Sequence, residues 1–216
     1  MIVLACSSKY GGRCVAGVST DSLRWIRPVG ADGHGELRVA QCDVEGRFPE
    51  LLEVVRFSHS GSVGDPAQPE NVRVTGEQWE RVGLLDGPTA YRRLEPVRTR
   101  GPALFGNQGR AVPADRAREG LDASLALVEP TNLWFTLEEA PDARKSPRAE
   151  FSLVRLEYSL PLTETLIRPR LLQMAPGRYD FEDLGLPEPE RVLLTVSLAE
   201  EQNDWRSKLV AAVIAV

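Results

Sequence analysis

Lysine is almost missing from this chain. Of its 26 basic residues only Lys9, Lys145 and Lys208 are lysine; the rest are arginine. Histidine is nearly as scarce, with His34 and His59 alone, and the three cysteines, Cys6, Cys14 and Cys42, show no CxxC spacing. A zinc site built from Cys and His would need an unusual ligand set, and an odd cysteine count is no disulfide framework. Cys6 and Cys14 fall on apolar runs, where a free thiol behaves as a small hydrophobe. Aromatics make up only 6% of the chain, too few for a protein that coats single strands by stacking base after base. No apolar run reaches the length of a membrane span. Met1–Cys6 ends in Leu-Ala-Cys but lacks the charged and apolar regions of a signal peptide. The expectation is a cytoplasmic protein with no membrane partner. Walker A, GxGxxG, HExxH and GxSxG patterns are also missing, so no catalytic residue, cofactor or metal ligand is assigned.

The formal charge of −5 argues against binding nucleic acid by bulk attraction. The charge is uneven, however. Residues 1–115 carry 14 basic and 14 acidic side chains, residues 116–216 carry 12 and 17. Between Pro88 and Pro113 lie Arg92, Arg93, Arg98, Arg100 and Arg110 against one acid, Glu95. Such a local basic strip can serve an anion on an acidic protein.

Short apolar runs punctuated by turn residues dominate the chain. Ile2–Ser7 reads as a strand, and Gly12–Gly30 as a hairpin whose alternation puts Trp25 and Arg27 on one face. Leu51–His59, Val72–Val74, Leu125–Val128, Leu133–Leu137, Arg191–Ser197 and Leu209–Val216 read as further strands. Glu150–Tyr158 reads as one long strand and Ala199–Arg206 as turn-like. Gly76–Gly83, GEQWERVG, suggests helical turns carrying Trp79. Few segments hold a helical period, so the expected fold is all-β with short helices. A loose echo between RCVAGVS near the start and KLVAAVI at the end fits two small barrels, residues 1–100 and 101–216.

GGRCVAGVSTDSLRWIRPV resembles the start of the prokaryotic dual-OB-containing domain family. PENV (Pro69–Val72), Trp79 with Gly83, LFGN (Leu104–Asn107), SLALVEP (Ser124–Pro130) and KLVAAVIAV at the end are similar to it as well. The resemblance implies two tandem OB-like small β-barrels and, by association with that fold, binding of single-stranded nucleic acid.

The candidate binding residues are the aromatic and cationic ones that occur together: Lys9 and Tyr10 with Arg13, Trp25 with Arg27, and Lys208 beside Trp205-Arg206. Arg92, Arg93, Arg98 and Arg100 of the connector join them. The competing reading makes Trp25 a barrel plug with Arg27 tied over it, and makes Trp79 and Trp134 structural. His34 and His59 are the only imidazoles that catalysis could use, with no nucleophile placed beside them. The function expected is a non-enzymatic recognition module for single-stranded DNA or RNA, or for a nucleotide-like anion. A protein–protein adaptor with a partner protein, or an enzyme with no recognisable motif, are the alternatives.

Overall fold

The computed structural model describes residues 1–31 and 34–216. The first six strands are β1 (Ile2–Lys9), β2 (Gly12–Val18), β3 (Trp25–Val29), β4 (Glu53–Arg56), β5 (His59–Ser62) and β6 (Asn71–Val74). With β7 (Glu80–Leu84) they form a sheet in the order β5-β6-β3-β2-β1-β4-β7. The row curls, because β4 and β5 at opposite sides of it are separated in sequence only by Phe57 and Ser58. β3 and β6 pair in parallel, with Arg27 in register with Asn71. β7 extends the sheet beyond β4 as an edge.

The second barrel uses β9 (Leu125–Val128), β10 (Thr131–Glu139), β11 (Lys145–Leu153), β12 (Leu156–Pro161), β14 (Val192–Gln202) and β15 (Trp205–Ala215), with the short β13 (Gly177–Tyr179) beside β10. β9 pairs with β14 while β10, two residues further on, pairs with β11. The circuit closes through a parallel bridge from Leu162, just after β12, to Val210 on β15. Counting β4–β5 and β9–β10 each as one bent strand, each half is a five-strand circuit closed by one parallel contact. The protein is all-β, with two tandem OB-like barrels. Between them run α1 (Gly87–Arg93), β8 (Ala111–Pro113), which pairs with β15, and α2 (Ala114–Arg118); α3 (Ile167–Leu171) follows β12.

The barrels are not independently cored. Phe135, Phe151, Leu160, Leu162, Leu194 and Val210 fill the second, and Val3, Val15, Leu37, Val55 and Trp79 fill the first. A third cluster draws Ile2, Leu4, Ala16 and Val18 together with Leu94, Leu125, Leu127, Leu193 and Ile214, and so belongs to both. β1 can serve two cores because its residues are apolar at successive positions rather than alternate ones. Hydrogen bonds cross the same seam, from Ser8 N to Thr163 O (3.2 Å) and from Thr195 Oγ1 to Leu4 O (2.6 Å).

Three local expectations are corrected. The segment around Trp79 is not helical: Glu80–Leu84 is strand β7, and pairing with β4 overrides the helix-forming Glu and Gln side chains. Trp79 is buried and stacks on Phe57 at 4.5 Å. The helix starts later, where Asp86 accepts from Thr89 N (2.8 Å) and Pro88 occupies the first turn. Glu150–Tyr158 is a hairpin rather than one strand, reversed at Val154, whose φ is +60°. Ala199–Arg206 is strand on both sides of a two-residue turn. Asn203 and Asp204 both have positive φ, as a type I′ hairpin requires.

Candidate ligand cleft between the barrels

The hairpin of β1 and β2 turns at Tyr10-Gly11, both left-handed, and brings Lys9 and Tyr10 to a cleft shared with the second barrel. This cleft of about 410 Å³ is lined from the first barrel by Ser7, Lys9, Tyr10, Cys14, Arg27 and Gln68, and from the second by Ser197, Glu200 and Leu209. A smaller cavity of about 210 Å³ shares Lys9, Cys14, Arg27 and Gln68 and adds Gly30, His34, Asn71 and Arg73.

Arg27 lies at the meeting of the two cavities. Its side chain is 4% exposed and forms an ion pair with Glu70, which is equally buried, at 3.0 Å. Arg27 Nη2 donates to Ser124 Oγ (2.9 Å) and Ser197 Oγ (3.2 Å), and the Glu70 carboxylate accepts from the backbone and hydroxyl of Ser124. One guanidinium therefore joins β3 of the first barrel to the entry of β9 and to β14 of the second. Its Nε has no partner among the described residues, nor does Oδ1 of Asn71. Asn71 is 7% exposed, stands beside Arg27 across the β3–β6 pair, and donates through Nδ2 to Gln68. An unpaired buried donor and an unpaired buried acceptor are costly, and both belong to residues lining the smaller cavity.

The rim is charged but internally paired. Lys9 Nζ contacts Glu200 at 2.9 Å and donates to the carbonyl of His34; His34 Nδ1 lies 3.0 Å from the same carboxylate. Tyr10, 63% exposed, stacks on the His34 ring at 4.3 Å. Arg73 donates to Gly30 O at 2.6 Å. Glu200 of the second barrel therefore sits between Lys9 and His34 of the first.

Of the residues singled out in the sequence, Lys9, Tyr10 and Arg27 come together in this cleft. Arg13 turns away, its guanidinium 5.1 Å over the Phe48 ring. Trp25 is half-buried and packs on the shared core. Arg27 is not an open groove residue, because burial and Glu70 fix its charge inside the seam. The connector arginines lie elsewhere. Arg92 is exposed on α1, and Arg93 donates to Thr20 O. Arg98 pairs with Glu129 at 2.7 Å and covers the Tyr91 ring, and Arg100 pairs with Glu95. Lys208 is fully buried, its ammonium donating to the carbonyls of Asn107 (2.6 Å) and Gly109 (2.7 Å), which corrects its expected place on a nucleic-acid groove. His59 is exposed on β5. Gln68, Glu70, Asn71, Arg73, Ser124, Ser197 and Glu200 were not singled out. Some of them stood in view all the same: PENV holds Glu70 and Asn71, and SLALVEP opens with Ser124.

Fold and site define a class, a tandem OB-barrel module with a polar cleft at the seam. Residues 1–213 match the dual OB-containing domain family, and the chain belongs to it. Searches of curated proteins and of solved structures found no match.

Proposed function

We propose that this protein is a recognition module whose interbarrel cleft binds a nucleotide-bearing anion, such as single-stranded nucleic acid or the end of one. The observation that carries the reading is the pair of polar atoms without partners among the described residues, Arg27 Nε and Asn71 Oδ1, on residues lining a cavity rimmed by Lys9, His34 and Arg73. A nucleobase edge offers an acceptor and a donor together, and its phosphate offers Lys9 an anion stronger than Glu200 and gives Arg73 a charged partner in place of the Gly30 carbonyl. The cavity's place supports the same ligand class. It lies between the turn joining the first two strands of the barrel and the Val63–Glu70 loop before its last strand, which are the loops that OB folds use for oligonucleotides.

The test is fluorescence anisotropy with labelled single-stranded DNA and RNA of about twelve nucleotides, at low and moderate salt. Binding is expected to weaken as salt rises, and Arg73→Ala is expected to weaken it about tenfold, the worth of one charge-assisted hydrogen bond. Glu200→Gln should instead strengthen it about two- to fivefold, because it removes the competing carboxylate from Lys9. An unchanged affinity in both variants refutes the cleft. If neither nucleic acid binds while a stable protein partner is recovered from the host, the adaptor reading replaces this one.

A further inference from the structure

The outer face of the second barrel carries a separate groove of about 740 Å³, within the range of ligand sites. Its floor is the solvent side of three adjacent strands. Register aligns Trp134 of β10 with Glu150 of β11, and Glu150 with Ser159 of β12. The next core-facing positions, Phe135, Ala149 and Leu160, point the other way into the barrel. Trp134 is therefore not a core plug. Its half-buried ring lies under the guanidinium of Arg178 from β13, 4.4 Å from centroid to Cζ. Arg178 has a side chain 55% exposed and reaches Glu150 only at 3.8 Å. More than half of its side chain thus stays uncovered at the groove, with its donors lightly engaged.

The remaining walls are built for hydrogen bonding. Asn132, Ser152, Ser159 and Gln108 surround the stack, and the wall carrying Gln108 and Arg110 is anchored from within by the Lys208 ammonium on Asn107 and Gly109. The charges of the lining cancel, Arg110 and Arg178 against Glu150 and Glu157. A groove with no net charge does not collect a polyanion by attraction. It selects by shape and stacking.

We propose that this groove is a second ligand site, in which an unpaired nucleobase stacks on the exposed guanidinium of Arg178, itself laid over Trp134. Guanidinium planes take the π-face of a base readily, and alternate with aromatics in doing so. A sugar ring fits less well, because the indole face it would pack against is already covered by the guanidinium. The site stands apart from the interbarrel cleft and does not need it.

The experiment titrates a single-stranded hexadeoxyadenylate against the full chain carrying Arg73→Ala, which weakens the cleft about tenfold and so brings the outer groove into view. Residual binding with a shallow salt dependence is expected. Arg178→Ala should then weaken it about tenfold, as should Arg178→Lys, which keeps the charge and loses the plane. Melting temperatures should be unchanged, since Arg178 is exposed; if the alanine variant unfolds, the lysine variant decides. The proposal is overturned if no residual binding is found, if Arg178→Lys binds like the parent, or if cellohexaose binds and the hexanucleotide does not. Failure of the cleft reading looks different: there Arg73→Ala and Glu200→Gln both change nothing in a chain whose outer groove has been removed by Arg178→Ala.

Discussion

Burial pushes the Cys6 thiol up to about 11 and the Cys42 thiol up to about 12, so neither supplies thiolate near neutral pH. Cys14 is half-buried and lines both cavities at the seam. Iodoacetamide near pH 8 should therefore label Cys14 first, and a cleft ligand should slow that labelling; mass spectrometry of peptides reads both. Lys208 poses the opposite problem. Its ammonium is buried and its pKa is pushed down to about 8. The unfolded chain, near 10.4, binds more protons across the interval between, so this group's contribution to stability grows as pH rises through 8. Lys208→Met leaves two carbonyls without their donor and should cost about 1–3 kcal/mol. The melting gap between parent and variant should widen from pH 7 to pH 10. The buried Cys6 thiol was legible in its apolar run, but the behaviour of Lys208 was not, since in the sequence it is one more cation beside an aromatic. Its burial follows from the pairing of β15 on both sides and from the loop folded over it.

Hairpins carried the sequence reading further than any other element. The Gly12–Gly30 stretch folds as expected, β2 onto β3 with Val18 opposite Trp25. Gly17 is required there by its surroundings, since a Cβ on it would lie 1.9 Å from Ile2 O. Gly17→Ala must therefore push β1 and β2 apart, and a loss of more than about 2 kcal/mol in urea unfolding is expected, on the scale of severe overpacking. Where expectation failed, the reason was a turn made by residues that do not announce one. Val154 takes positive φ in the middle of an alternating run, and no propensity marks it. Trp79 was surrounded by helix formers, yet an edge position next to β4 was available and pairing won. Trp134 was expected to be structural because most tryptophans are. Only register across three strands shows that it faces outward.

Across the whole molecule, the stretches that carry the family likeness converge on two places. WIRPV, PENV and SLALVEP supply Arg27, Glu70, Asn71 and Ser124 to the seam, while LFGN and the closing strand supply Asn107 and Lys208 to the wall of the outer groove. Short similarities scattered along a chain are hard to weigh one by one; in space they form two clusters. The shared core makes a further demand. Leu125, Leu127, Leu193 and Ile214 are covered by Ile2, Leu4 and Val18, so residues 101–216 expressed alone should expose that face, bind a hydrophobic dye and melt well below the full chain. Arg27→Met, which strands Glu70 in the interior, should cost about 3–5 kcal/mol. The full chain should unfold in urea as one transition, because both barrels lose the same core at once.

Arg27 clasps the two halves together inside the seam, and that has a practical consequence. Under the proposed function, a molecule bound in the cleft adds its binding energy to that clasp, and saturation at a hundred times the dissociation constant adds about 2.7 kcal/mol to the folded state. Occupancy would then be written into the melting point. A library of nucleotides and oligonucleotides screened by heating alone, with no prior label on the guest, should contain members that raise it; a library that leaves it unmoved counts against the cleft.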